Sequence, residues 1–150
     1  MVAPTFPTCP TNGKTGKAVD TLILKALLSL SLTELRASEY RFCRAPDCAT
    51  VYYSADGSQT FAESDLRERV FQKHPDDDAT PVCYCFGHTV GSIRSELAAT
   101  GVTTVIEKIE AGIEAGQCAC DIRNPQGDCC LGNVRAVVRR LKSDENPKID

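Results

Sequence analysis

The nine cysteines of this 150-residue chain constrain its fold more than any other feature, because most of them lie in tight pairs. These pairs are Cys83 and Cys85, Cys118 and Cys120, and Cys129 and Cys130. Disulfide geometry requires a separation and a dihedral angle that near neighbours rarely reach, whereas closely spaced thiolates can converge on one metal centre. An odd number of cysteines also cannot close into a full disulfide set. The pattern therefore predicts thiolate metal sites.

Charge and hydropathy limit the cellular location and the binding partners that we expect for the protein. The N-terminus has no basic region followed by an apolar run, and the longest apolar stretch, at about residues 22–32, contains Lys25 and several serines. We therefore expect no export signal and no membrane contact, and a reducing cytoplasm in which thiols persist. The net charge of −3 at pH 7 disfavours a nucleic-acid partner.

The N-terminal half, residues 1–72, is predicted to combine one helix with short strands. Apolar residues at helical spacing follow Asp20 or Thr21 as a cap and indicate an amphipathic helix over about 19–30. The β-rich segments 40–43 and 50–53 flank a polar turn and indicate a hairpin. A hairpin with cysteines at its tight end is typical of a zinc knuckle.

The C-terminal half, residues 82–150, is predicted to be helical. A charged stretch with a proline but no periodicity places a linker over 73–81. Beyond it, apolar spacing indicates three short helices, which begin after Thr89, after a capping box of Thr104 and Glu107, and after Cys130. The fold class is therefore α+β.

The cysteines of the C-terminal half lie beside the ends of these predicted helices. Helix N-termini present unpaired N–H groups and a partial positive charge, which suit an anionic centre with thiolate ligands. A 2Fe-2S cluster with four thiolates is such a centre. The sequence has no phosphate-binding glycine loop, no nucleophile elbow and no shaped pair of carboxylates, so we predict no catalytic residues.

These motifs resemble known iron-sulfur domains. The Cys83-Tyr84-Cys85 motif, a gap of about thirty residues, a Gly-x-Cys at 116–118 and a final cysteine that opens a helix resemble the bacterioferritin-associated ferredoxin (BFD) type of 2Fe-2S domain. The wider pattern, through Asn124-Pro125-Gln126-Gly127-Asp128-Cys129-Cys130, resembles the N-terminal domain of the copper chaperone CopZ family. That resemblance implies a zinc-knuckle or treble-clef-like unit, with a helix and a short β-hairpin, followed by a small three-helix BFD-like 2Fe-2S-binding unit.

The resemblance also implies the cofactors. The expected 2Fe-2S ligands are Cys83, Cys85, Cys118 and Cys130. Cys120 and Cys129 are the reserves, because a turn at 124–128 can bring either inward. Their alternative role is that of a spare thiol or of a hydrogen-bond acceptor near the cluster.

One zinc ion is expected in the N-terminal half, at Cys9, Cys43 and Cys48. Family members have Cys-Pro-x-Cys-Gly where this chain has Cys9-Pro10-Thr11-Asn12-Gly13, so one thiolate is missing. Structural zinc sites normally have four protein ligands. Asp47, Asn12 and a water molecule are the candidates for the fourth position.

The leading functional hypothesis is a one-electron carrier associated with copper or other metal-ion handling. The resemblance implies production or delivery of cuprous ion, and a cupric reductase activity would be compatible with this role. A copper-binding chaperone domain or a copper-transporting ATPase would act in trans as the partner. The sequence does not specify the redox partner. The alternative is a thiolate chaperone or sequestration protein that binds copper, zinc or mercury directly. A third hypothesis is a zinc-stabilised interaction module.

Overall fold

The computed structural model describes residues 8–145, and the side chains of residues 8–143. The N-terminal half contains four strands and one α-helix, and helices dominate the C-terminal half. The strands are β1 (Lys17–Val19), β2 (Tyr40–Phe42), β3 (Thr50–Ser54), β4 (Thr60–Ala62), β5 (Pro81–Cys83) and β6 (His88–Thr89). The helices are α1 (Thr21–Leu27), α2 (Val90–Thr100), α3 (Val105–Glu114), α4 (Cys120–Arg123) and α5 (Leu131–Glu145).

The N-terminal half is a four-stranded antiparallel sheet packed against α1. The strands follow the order β1-β2-β3-β4, and Phe42 of β2 pairs with Tyr52 of β3. Asp20 caps α1, because its Oδ1 accepts a hydrogen bond of 2.9 Å from the Leu22 amide. The apolar face of α1 is buried with the sheet's aromatic side chains in one core. The predicted helix and hairpin are confirmed, although α1 ends at Leu27 rather than near residue 30.

Gly16 lies just before β1, at a point with no room for a side chain. A Cβ atom there would lie 2.5 Å from the carbonyl oxygen of Phe42 and 2.7 Å from the hydroxyl of Tyr53. We expect Gly16→Ala to lower the free energy of unfolding by about 1–3 kcal/mol, because the backbone of β2 cannot move aside cheaply. Urea unfolding measures this loss.

Gly132→Ala is the matched control, because nothing lies within 4 Å of a Cβ atom at that position in α5. Alanine is the better helix former by about 1 kcal/mol, so this variant should be no less stable than the wild type. Equal stability of the two alanine variants would contradict the packing described for Gly16.

The C-terminal half joins the β5–β6 hairpin to four helices. The predicted helices are present as α2, α3 and α5. The predicted capping box of Thr104 and Glu107 is wrong. The Thr104 side chain accepts no capping hydrogen bond, and its amide donates instead to Glu96 Oε1 of α2 at 2.9 Å. The short α4 was not predicted, because four residues cannot show helical periodicity.

The core of the C-terminal half contains thiols as well as aliphatic side chains. It is built from β5 and the buried faces of α2, α3 and α5. Cys83, Cys120 and Cys130 are buried members of this core. The fold therefore places sulfur atoms from three separate chain segments in an environment that excludes most water.

The stretch 73–78 makes specific contacts with both halves. Lys73 Nζ donates to the Ala45 carbonyl at 2.7 Å in the N-terminal half. Arg140 of α5 donates to the Pro75 carbonyl at 2.7 Å in the C-terminal half. The division into residues 1–72, a linker at 73–81, and residues 82–150 stays a prediction.

Further contacts join the two halves directly. Tyr52 in β3 donates a hydrogen bond to the carbonyl of Pro125, and α1 packs against α4. Within residues 8–145, no helix is both long enough and apolar enough to cross a membrane.

Candidate metal sites

Three cysteines of the N-terminal half meet at the end of the sheet, and we call them the three-cysteine site. Cys9 opens the turn before β1, Cys43 follows β2, and Cys48 precedes β3. Their sulfur atoms all lie within 4.8 Å of one another, and Cys9 Sγ is 3.9 Å from Cys48 Sγ. None of the three residues is more than 6% exposed. The structure therefore brings together all three cysteines that the sequence assigned to zinc.

Burial, hydrogen bonds and charge shift the pKa values of the thiols at this site. Burial raises the pKa of Cys43, and the positive charge of Lys73 only partly offsets it. Burial acts in the same direction on Cys9, but backbone hydrogen bonds from Asn12 and Thr11 help to bring the pKa of Cys9 below its usual value. The turn that contains Cys9 is thus arranged to favour a thiolate, the form that binds metals.

Neither protein residue proposed for the fourth position is placed as a ligand. Asn12 Nδ2 donates to Cys43 Sγ at 3.3 Å, so the amide contacts a sulfur atom through its donor end. The carboxylate of Asp47 is not part of the group of ligand atoms that lie within 4.8 Å of one another. The fourth ligand, which the sequence assigned to Asp47, Asn12 or a water molecule, therefore stays a prediction.

A second group, the five-cysteine cluster, lies in the C-terminal half and contains Cys83, Cys85, Cys118, Cys120 and Cys130. The sulfur atoms of Cys85, Cys118 and Cys120 lie within 4.8 Å of one another, and Cys85 Sγ is 3.6 Å from Cys120 Sγ. Cys130 lies close enough to Cys83 and Cys120 to be the largest influence on their pKa values. The β5–β6 hairpin, α4 and the start of α5 thus converge on one thiol-rich centre.

The thiols of the five-cysteine cluster differ widely in their pKa values. Interaction with Cys130 lowers the pKa of Cys83 to about 7 and that of Cys120 to about 5. The same two contacts raise the pKa of Cys130, because loss of its proton would bring negative charges together. Burial raises the pKa of Cys85 to about 12. A cation would relieve the repulsion that keeps this cluster partly protonated.

The cluster differs in one respect from the sequence assignment. All four predicted ligands, Cys83, Cys85, Cys118 and Cys130, are among its members. The reserve Cys120 also lies inside, while the reserve Cys129 is exposed and outside the group. Helix α4 explains the difference, because it begins at Cys120 and turns that side chain toward the buried core.

Two aromatic side chains flank Cys85, and they have different roles. Phe86 packs over Gly112 of α3, where a Cβ atom would collide with its ring. Tyr84 instead donates to the carbonyl of Arg69 at 2.5 Å and accepts from the amide of Phe71 at 3.0 Å. Tyr84 therefore ties the loop with Cys83 and Cys85 to the N-terminal half, a role that no sequence pattern predicts.

Comparison with known proteins supports a metal-binding assignment for the N-terminal half. Residues 7–67 match the family zf_CopZ, whose description is a zinc binding domain. The whole fold is similar to the X-ray structure of the Archaeoglobus fulgidus CopZ N-terminal domain, with a TM-score of 0.72 and 25% sequence identity. That match covers 87% of this chain and 96% of the other. No curated protein matches the chain.

These similarities support a CopZ-like zinc-binding domain in the N-terminal half, where the three-cysteine site is consistent with a metal ion. They indicate metal-ion handling in general. Taken alone, they fit the hypothesis of a thiolate metal-binding protein better than that of an electron carrier, because the family description specifies zinc.

Proposed function

We propose that the protein handles metal ions through its two thiolate sites, and that the five-cysteine cluster holds a 2Fe-2S centre that carries one electron. The observation that supports the centre is the convergence of five thiols from three chain segments in a mostly buried environment. Sulfur is the donor that iron-sulfur clusters require, and four thiolates suffice. When bound, such a cluster accepts and returns a single electron.

The donor set of the five-cysteine cluster fits this group. Cys83 and Cys120 have lowered pKa values, so two thiolates form readily near neutral pH. The Ala119 amide donates to Cys85 Sγ at 3.2 Å. Hydrogen bonds to ligand sulfur atoms stabilise negative charge and raise the reduction potential of an iron-sulfur centre. The chain thus supplies both ligands and a donor that would tune them.

Five cysteines compete for four positions, and the geometry favours Cys120 over Cys118 as the fourth ligand. Cys120 is buried, its sulfur lies 3.6 Å from Cys85 Sγ, and Cys130 and Cys118 also lower its pKa. Cys118 is half-buried, and Cys120 and Cys85 are the cluster thiols that shift its pKa most. We therefore assign the ligands as Cys83, Cys85, Cys120 and Cys130, with Cys118 beside the cluster.

Serine substitutions test this assignment. Cys120→Ser should lose most of its bound iron, whereas Cys118→Ser should keep most of it with an altered visible spectrum, because a neighbour of the ligands has changed. Iron analysis of the two purified variants measures the difference. If Cys118→Ser lost the iron and Cys120→Ser kept it, the assignment made from the sequence alone would be the correct one.

The electron-transfer hypothesis is tested by reduction of the anaerobically purified full-length protein. We expect a coloured protein whose visible absorption bleaches with dithionite, and a paramagnetic signal from one electron per chain. The reduced protein should then transfer that electron to Cu²⁺, which becomes Cu⁺. A colourless protein without this signal that binds Cu⁺ tightly would contradict electron transfer and support the alternative.

That alternative is a thiolate chaperone or sequestration protein. The observation that favours it is the group of Cys85, Cys118 and Cys120, whose three close sulfur atoms include two that are only half-buried. Soft thiolates select soft ions such as Cu⁺, and partial exposure permits exchange with another protein. In either case a copper-binding chaperone domain or a copper-transporting ATPase is the partner that we propose.

A further inference from the structure

Asn12 stands where a fourth zinc ligand would be expected, but both ends of its side-chain amide are already engaged. Its Nδ2 donates to Cys43 Sγ at 3.3 Å. Its Oδ1 accepts from the backbone amide of Lys14 at 2.9 Å. The oxygen is the only atom of this side chain that could bind a metal ion, and it lies in the turn rather than against the sulfur atoms.

The orientation of the Asn12 amide is fixed by these two neighbours. Rotating the amide by half a turn would place its oxygen against the sulfur of Cys43, which becomes negative when a metal binds. It would also place the NH₂ group against the Lys14 N–H, so that two donors would face each other. Asn12 therefore stabilises the Cys43 thiolate as a hydrogen-bond donor and does not bind the metal.

No Asp, Glu, His or further Cys side chain of residues 8–143 has a ligand atom within 4.8 Å of all three sulfur atoms. The group of close ligand atoms contains the three sulfur atoms and neither a carboxylate nor an imidazole. The cavity beside Cys48 is also lined by Asp47, Glu63 and His74, and the last two bind each other at 2.6 Å. A zinc ion at this site would have three protein ligands and one position left for a molecule from outside.

A cavity of about 370 Å³ adjoins the three-cysteine site and offers a route for such a molecule. Its wall includes Cys43 together with Lys14, Thr15, Gly16, Arg44, Ala45 and Pro46. Lys14 and Arg44 are exposed and take part in no salt bridge among the described residues. Two such cations at the entrance favour an anionic ligand.

We infer that zinc at the three-cysteine site takes its fourth ligand from this cavity, and that the ligand is a small anionic thiol. Thiolate sulfur is the donor that the other three positions already use, and zinc accepts it readily. The thiol binds as its thiolate and releases its proton to water. The inference depends on zinc in the N-terminal half, and is independent of the proposed 2Fe-2S centre.

Cobalt substitution of the full-length protein tests the inference, because Co²⁺ replaces Zn²⁺ and its thiolate absorption reports the number of Co–S bonds. Cys9→Ser identifies the part of the spectrum that belongs to this site. Addition of mercaptoacetate, the anionic probe, should raise that part by about one third, as four Co–S bonds replace three. The neutral probe 2-mercaptoethanol should require a higher concentration.

Variants at residues 12, 14 and 44 distinguish an external thiol from a fourth ligand supplied by the chain. Asn12→Cys supplies a fourth thiolate, so its spectrum should show four Co–S bonds from the start and should not respond to mercaptoacetate. Asn12→Ala should still respond, because it only removes the donor to Cys43. Lys14→Ala with Arg44→Ala should abolish the preference for mercaptoacetate over 2-mercaptoethanol.

Two results would overturn the inference. One is a wild-type spectrum that mercaptoacetate leaves unchanged at millimolar concentration. The other is loss of the metal in Asn12→Ala with retention in Asn12→Asp, which would make residue 12 a ligand through its oxygen. Neither result bears on the iron content of the five-cysteine cluster, so failure here is distinguishable from failure of the proposed function.

Discussion

Replacing Cys83 or Cys85 by serine is expected to remove the iron of the C-terminal half almost completely. Cys83 is fully buried and has its pKa lowered by Cys130, while Cys85 contacts Cys120 at 3.6 Å and accepts from the Ala119 amide. The single spare thiol, Cys118, lies on a different segment and cannot take the place of Cys83. Iron and sulfide analysis with the visible spectrum measures the loss.

Cys129→Ser is the matched control for these variants. Cys129 is exposed and lies outside both groups of sulfur atoms, so its substitution removes a thiol without removing a ligand. This variant should keep the wild-type iron content. Wild-type iron and absorption in Cys83→Ser or Cys85→Ser would show that the cluster does not lie between β5 and α5.

Removal of zinc is expected to produce the second large effect, a loss of stability in the N-terminal half. The small core around the three-cysteine site contains only Cys9, Cys43, Ala45, Cys48 and Tyr53 among the described residues, so little apolar contact would hold the turns together without a metal. A ligand that binds only the folded state stabilises it by about 4 kcal/mol when its free concentration is about 1,000 times its Kd. We expect a loss of that order when a chelator removes zinc.

Urea unfolding with and without a chelator measures this effect. Cys9→Ser should be unstable under both conditions and insensitive to the chelator, because the site has already lost a buried thiolate. Cys129→Ser should respond to the chelator as the wild type does. A wild-type protein whose unfolding is unchanged by zinc removal would show that packing alone maintains this half.

The sequence was sufficient to predict the elements whose side chains alternate between the core and the solvent. The Asp20 cap and the spacing of apolar residues located α1, and the same periodicity located α2, α3 and α5. Strand β1 and the β5–β6 hairpin were missed, because segments of two or three residues show no clear alternation. Helix α4 was missed for the same reason.

The candidate metal sites could be predicted from the sequence only in part. Cysteine spacing identified the two groups, since thiols one residue apart converge more easily on a metal than on each other. Spacing could not rank Cys118 against Cys120, which depends on the direction that α4 gives each side chain. Nor could it show that Asn12 donates to Cys43, because that contact joins a turn to the end of a strand 31 residues away.

The metal content of the anaerobically purified full-length protein tests the central claim most directly. Two thiolate sites, one for zinc and one for a 2Fe-2S centre, predict about two iron atoms, two acid-labile sulfides and one zinc ion per chain. Zinc or copper in both sites, with neither iron nor sulfide, would contradict the electron-transfer assignment and make direct thiolate binding of metal ions the function of the protein.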